Sequence, residues 1–347
     1  MAIQRDISEA FVKLGDFLRF FCEEHSTTPT KWSKTLELAV IEAGQKNGWF
    51  TADNVHFCLA QWGALLTREN LEAWTASYDL PKESNKVVAI IMAGNIPLVG
   101  FHDFLCVLLS GHSVLAKLAS NDSVLLPFLA KFLIAQEPTL SKKIKFTKEQ
   151  LQGFDAVIAT GSNNTGRYFE YYFSKHPHII RKNRNSIAVL SDNETKAELD
   201  ALGQDIFRYF GLGCRSVSKL YVPSDYKLDT FFEGIFGHKN VINTHKYANN
   251  YDYNKAVFLM SDFEILDNGF LLLKEDTSMA SPIGTLYYER YSTLDSLNNK
   301  LAQEKKNLQC VVSSASINGA SPFGSSQTPT LTDYADGVDT MQFLLNL

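Results

Sequence analysis

Cys214 is the residue of this chain best placed by its neighbours to do chemistry. It stands in Phe210-Gly-Leu-Gly-Cys214-Arg-Ser-Val-Ser-Lys-Leu-Tyr-Val222, where a helical pattern stops and a strand pattern begins. Two glycines free the backbone, so the turn can present a thiol at a cleft. Amides at the start of such a turn favour a thiolate and can hold an oxyanion. The plainer alternative is a buried cysteine in a Gly-rich turn. Gly161-Ser-Asn-Asn-Thr-Gly-Arg167 is a small polar loop between a strand and a helix, and a helix N-terminus of this kind binds phosphate. It also reads as an ordinary helix start capped by Ser162 or Asn164. Gly94-Asn95-Ile96-Pro97 follows an apolar strand. The Asn95 amide at that strand end can donate to developing negative charge, although a Gly-Asn turn before a proline explains it equally. Lys117 closes the apolar run from Val114, at the strand end where α/β sheets bind ligands, or else as a solvated strand end.

The elements that must carry these residues alternate. Val87–Met92, Val114–Leu118 and Phe154–Thr160 read as strands. Helices are expected from Leu98 to Leu109, from a cap at Asn121 or Asp122 to Gln136, and up to Ser174. This alternation predicts an α/β domain with a parallel sheet. Ahead of it, Phe11, Leu14, Phe17, Leu18 and Phe21 recur on one helix face. Residues 1–80 are therefore read as a helical segment, a cap or a substrate lid. A second α/β unit is expected from strand Ile187–Leu190 and helix Glu194–Phe210 onward. Its strand candidates are Lys219–Val222, Val257–Met260, Gly284–Tyr288 and Leu308–Ser313, with a helix between Ser292 and Lys305. The domain boundary is set near Asn185. Residues 1–185 form the first domain and 186–320 the second, and the tail 321–347 is expected to pack back on the first.

Composition narrows the function classes. The 347 residues are 45% hydrophobic and 20% charged, and their net charge is −5. Such a chain folds as roughly two ordinary globular domains, with no general attraction to nucleic acid or anionic membrane. The N-terminus shows no apolar signal core, and no apolar run approaches the ~20 residues of a membrane span. Five cysteines without a Cys-x-x-Cys pair argue against a disulfide framework or a structural zinc. The expected location is cytoplasmic, and the histidines show no metal spacing.

Taken in order, these motifs resemble the aldehyde dehydrogenase superfamily from about Lys86 to the tail. The chain is more similar still to its acyl-CoA reductase family, known from the fatty-acid reductase subunits of bacterial luminescence. Asn95-Ile-Pro97, Arg181-Lys-Asn-Arg-Asn-Ser186, Ser321-Pro-Phe-Gly324 and Asp333-Tyr-Ala-Asp-Gly337 carry that likeness. The resemblance implies two Rossmann-related α/β domains with parallel sheets behind an N-terminal helical segment. It makes Cys214 the nucleophile and Asn95 the oxyanion donor, alongside the Cys214 amide. Lys117 would contact the adenosine ribose, and Gly161, Ser162 and Gly166 would lie beside the cofactor pyrophosphate. Phe323 would help line the nicotinamide side.

Two departures from oxidising relatives refine what the resemblance implies. Their water-activating glutamate falls here on Arg181, or on Ile180 if the register slips, and neither can act as a base. An acyl-CoA or other acyl thioester is then the expected substrate. Ser120 stands where relatives that prefer NAD carry a glutamate, so NADPH is admissible beside NADH. The basic cluster Arg181, Lys182 and Arg184 is either a site for CoA phosphates or a solvated loop. The implied activity is NAD(P)H-dependent reduction of the thioester to an aldehyde through an acyl-cysteine. A non-catalytic scaffold or acyl-carrier partner of the same fold, or an acyl-phosphate reductase, are the other readings. An acyl-transferase or carrier-protein partner and a homodimer are compatible with all of them. No metal, no nucleic acid and no membrane span are expected.

Overall fold

The structure, a computed structural model, describes residues 2–23, 30–80 and 85–347. The chain divides into two compact units, residues 1–182 with 330–347, and residues 183–329.

The first unit opens with helices α1 (Ala2–Cys22), α2 (Lys31–Lys46), α3 (Ala52–Leu65) and α4 (Arg68–Thr75). Thr30, Thr51 and Thr67 cap the last three, each accepting from a main-chain amide three residues on. Then come β1 (Val87–Ile91), α5 (Phe101–Leu109), β2 (Ser113–Lys117), α6 (Leu125–Gln136), β3 (Ile144–Thr147), β4 (Ala156–Thr160), α7 (Asn163–Phe173) and β5 (His178–Arg181). The strands run parallel in the order β3-β2-β1-β4-β5. The order in which the chain lays down strands reverses between β1 and β4, and the carboxyl ends of strands at such a point are where open α/β sheets bind ligands.

The periodic face of α1 is the predicted one. Phe11, Leu14 and Leu18 are fully buried. Phe17 stacks on Phe132 of α6 at 4.7 Å, and Phe11 meets Phe101 of α5 edge-on. The helical segment, expected as a cap or a substrate lid, packs into the core of this unit. β3 and β5 were not foreseen, being short and only partly apolar.

The second unit holds β6 (Asn185–Val189), α8 (Lys196–Phe207), β7 (Val217–Pro223), α9 (Leu228–Gly234), α10 (His245–Met260), β8 (Ile265–Asp267), β9 (Leu272–Glu275), β10 (Thr285–Tyr291), α11 (Leu294–Glu304) and β11 (Leu308–Ser313). Its sheet runs β11-β6-β7-β10-β9-β8, and β8 alone among these pairings is antiparallel. Val257–Met260, expected as a strand, is instead the last turn of α10. Buried Tyr247, Tyr251, Asn254 and Phe258 recur at helical spacing, and that longer period outweighs a four-residue apolar run. The helix expected to reach Phe210 stops at Phe207, because Tyr209 and Phe210 turn left-handed.

The tail divides between the units. Residues 321–329 stay with the second, contrary to the expected return of 321–347 to the first. From Thr330 the chain does rejoin the first unit and ends in α12 (Thr340–Leu345). Trp74 donates to the Tyr334 hydroxyl at 2.8 Å, and the Tyr78 hydroxyl donates to Asp339 at 2.8 Å.

Arg181 corrects the reading of the basic cluster. It is buried, donates to Asp103 of α5, and reaches Thr340 Oγ1 at 2.9 Å. Burial works against its charge, but Asp103 more than offsets this, and the net effect holds Arg181 protonated. It is neither a solvated loop residue nor available to a phosphate. Lys182 pairs with Glu170, and Arg184 donates to the Leu308 carbonyl at 3.3 Å. Replacing one member of a buried pair strands the other charge. Asp103→Ala is expected to destabilise the first unit by about 3–5 kcal/mol, read as a lower urea midpoint. An unchanged midpoint would show that the pair contributes nothing.

Candidate active site

In the first unit the expected cofactor residues gather at the carboxyl edge of one sheet. Asn95 follows β1, Lys117 ends β2 and Ser120 lies just beyond it, and Gly161 and Ser162 join β4 to α7. Ser162 is the cap of α7: its hydroxyl accepts from Thr165 N at 3.2 Å. Asn164 is already within the helix. Gly166 is buried in the first turn, where a Cβ would meet Lys182 Cγ at 3.0 Å. Lys117 is half-buried and its ammonium donates to the Glu149 carbonyl at 3.0 Å, while Ser120 is exposed.

The Asn95 turn is held by residues that local sequence does not single out. The Gly94 carbonyl accepts from Asn47 Nδ2 at 3.0 Å and from Asn121 Nδ2 at 3.1 Å. A Cβ on Gly94 would lie 2.4 Å from Asn121 Oδ1 and 2.7 Å from Ala119 Cβ, so only glycine lets the two loops approach this closely. Leu98 adopts a left-handed φ of 54°, and its amide donates to the Asp122 carboxylate. Asn121 or Asp122 was expected to cap α6. With both side chains engaged in the Gly94–Leu98 loop, Val124 occupies the cap position without a side-chain bond.

In the second unit, Cys214 is exposed in the Gly213–Ser216 turn ahead of β7, and its thiol is not in a disulfide. The other cysteines differ. Cys58 and Cys106 are buried, and burial pushes Cys106 well above the usual thiol range and Cys22 up to about 11. Three left-handed residues lead into the turn: Tyr209, Phe210 and Gly211, with φ of 56°, 58° and 77°. Left-handed backbone costs a side-chain-bearing residue about 1–2 kcal/mol, and such strain collects at functional sites.

The turn has two anchors. The buried Ser186 hydroxyl donates to the Cys214 carbonyl at 2.8 Å. Ser216 Oγ accepts from Gln327 Nε2 at 3.3 Å. Gln327 belongs to the Pro322–Gln327 segment that carries Phe323, which is half-buried. That segment is fixed by Asp205 of α8, whose carboxylate accepts from Gly324 N at 2.6 Å, Ser326 N at 2.9 Å and Ser326 Oγ at 2.7 Å. Cys214 and Phe323 are therefore parts of one bonded assembly within this unit. Nothing in the sequence near Asp205 or Ser186 signals these partners: Asp205 lies 119 residues from Gly324, and Ser186 lies 28 residues from Cys214.

Residues 70–233 match the family described as Acyl-CoA reductase (LuxC). That stretch, a little under half of the chain, is similar to the acyl-CoA reductase family. It contains Asn95, Lys117, Ser120, Gly161, Ser162, Gly166 and Cys214, but not Phe323. The Long-chain acyl-protein thioester reductase 2 of Photobacterium leiognathi is 25% identical over 197 residues. The match covers 51% of this chain but only 40% of that relative's length. Among solved structures, an NAD-dependent aldehyde dehydrogenase from Sinorhizobium meliloti superposes with a TM-score of 0.64 at 15% identity, over 91% of this chain and 71% of its own. Aldehyde dehydrogenase 21 from Physcomitrella patens gives 0.68 at 11% identity, over 99% and 84%. The chain thus has the aldehyde dehydrogenase-like α/β fold. Among the described residues no helix is long and apolar enough to cross a membrane, and no His, Cys, Asp and Glu side chains cluster to hold a metal.

Asp122 makes the Asn95 loop sensitive to pH. Burial pushes its carboxyl up to about 7 from 3.8, against the opposing bond from Leu98 N, and its Oδ1 has no partner among the described residues. Between those values the native state holds a proton that the unfolded chain has released. Asp122 therefore makes the first unit lose stability as pH rises toward 7. Asp122→Asn, which keeps the acceptor for Leu98, is expected to abolish that part of the slope in urea midpoints measured across the range. Parallel profiles for the two proteins would contradict it.

Proposed function

We propose that this chain reduces an acyl thioester to an aldehyde with a nicotinamide cofactor, Cys214 being the acyl acceptor. Arg181 carries the reading. The resemblance puts the water-activating glutamate of oxidising relatives at Arg181, or at Ile180 one residue earlier; the Arg181 guanidinium is locked to Asp103, and neither side chain can deprotonate water. An acyl-cysteine on this chain is then spared hydrolysis and can be reduced. The family match over 70–233 and the exposure of Cys214 support the same reading.

The first unit fits a dinucleotide. Its strand order reverses between β1 and β4, where such sheets bind ligands, and the main-chain N–H groups of Asn163 and Asn164 stand at the open end of α7, a ready site for pyrophosphate. Gly161, Ser162 and Gly166 would border that group, Lys117 the adenosine ribose and Phe323 the nicotinamide side. Ser120 puts no carboxylate against a 2′-phosphate, so NADPH is accepted beside NADH.

In the proposed reaction the Cys214 thiolate attacks the thioester carbonyl carbon. The oxyanion takes hydrogen bonds from the Asn95 amide and the Cys214 main-chain N–H. The tetrahedral adduct collapses, the C–S bond to the carrier thiol breaks, and an acyl-Cys214 remains. When bound, the reduced nicotinamide supplies hydride to that acyl carbon. The resulting thiohemiacetal on Cys214 releases aldehyde and returns the thiolate.

The test is reduced-nicotinamide oxidation with a panel of acyl-CoA substrates and direct detection of aldehyde. Cys214→Ser is expected to abolish turnover while NADPH binding persists; undiminished turnover would exclude the mechanism. Asn95→Ala is expected to lower kcat by about 10²–10³, the worth of one oxyanion donor. A negligible change would remove Asn95 from that role.

A further inference from the structure

Cys310 is a second thiol tied to the nucleophile turn. It pairs with Ser186 across β11 and β6, and both neighbouring ladders slip register at these residues, between Leu308 and Cys310 and between Ser186 and Ile187. Such irregularities re-aim side chains next to functional sites. The Ser186 hydroxyl that donates to the Cys214 carbonyl also accepts from Cys310 N at 3.1 Å. One buried hydroxyl thus bridges the main chains of the two cysteines. Arg215, directly after Cys214, donates from Nη1 to Cys310 Sγ at 3.3 Å. A guanidinium against sulfur is the setting in which a thiol reacts as thiolate. Cys310 is half-buried, and neither cysteine is in a disulfide.

We propose that Cys310 is the resolving thiol of Cys214, closing a disulfide onto it after oxidation by a hydroperoxide. This rests on the reading of Cys214 as a reactive thiolate. In the first step Cys214 Sγ attacks the distal peroxide oxygen, the O–O bond breaks, an alcohol leaves, and Cys214 becomes a sulfenic acid. The Cys310 thiolate then attacks that sulfur. The S–S bond forms, the S–O bond breaks, and the departing hydroxide takes a proton to leave as water. Overall the Cys214–Cys310 pair is oxidised by two electrons, one from each sulfur, and the peroxide is reduced by two. The disulfide stops the nucleophile short of irreversible sulfinic acid, and a dithiol reductant restores both thiols. Arg215 acts here as a positioning residue, holding Cys310 toward the turn.

The experiment treats the full chain with tert-butyl hydroperoxide and maps peptides without reduction. A Cys214–Cys310 linked peptide is expected, together with loss of reductase activity that dithiothreitol restores. Cys310→Ser should be active before oxidation, accumulate a dimedone adduct at Cys214 when dimedone is present, and under excess hydroperoxide without dimedone pass on to the sulfinic acid, from which dithiothreitol does not recover it. Arg215→Leu should form the linked peptide more slowly. Dimedone labelling of Cys214 in the native protein with no linked peptide, or full recovery of Cys310→Ser, would overturn the proposal while leaving the reductase reading intact. Absence of any oxidation at Cys214, with Cys214→Ser still active, would overturn both.

Discussion

A single carboxylate, that of Asp205, decides how the second unit is put together. Burying a carboxylate without partners is costly, and burial alone raises its pKa. The offset comes from two main-chain amides and a hydroxyl of residues 324–326. Those donors must therefore sit against α8, more than a hundred residues away in the chain. Once they do, Gln327 reaches the turn that presents Cys214. The segment with Phe323 and the segment with Cys214 are placed by the same buried charge.

The first unit solves a similar problem without charge. Loops at the carboxyl end of a parallel sheet carry main-chain groups that the ladder no longer pairs. Asn47, from outside the sheet, and Asn121, from the loop after β2, both donate to the Gly94 carbonyl and fix the turn that carries Asn95. The helical segment contributes through Asn47, so its role extends beyond filling space.

What could be seen in the sequence was whatever local pattern determines. The strands before Asn95, Lys117 and Gly161, the cap at Ser162 and the burial face of α1 all follow from neighbours within a few residues. The exposure of Cys214 was one of two readings that the glycines left open. Other features depended on partners far along the chain. Arg181 read as part of a charged loop because Asp103 and Thr340, which bury it, are distant in sequence. Asn121 and Asp122 looked like caps because a capping pattern is short-range, whereas their actual partners are Gly94 and Leu98. Residues 321–329 went to the wrong domain because Asp205 carries no local mark. Val257–Met260 shows that four apolar residues are too few to fix a period.

The left-handed reversal at Tyr209, Phe210 and Gly211 has a consequence for any attempt to redirect this protein. Both aromatic rings are buried, so packing restrains a main-chain path that the residues would not choose in isolation. The aim of the thiol is inherited from those rings, upstream of the thiol itself, much as a barrel sets a line of fire. Remodelling around Cys214 can work on its open side, provided this aromatic hinge-pin is left untouched.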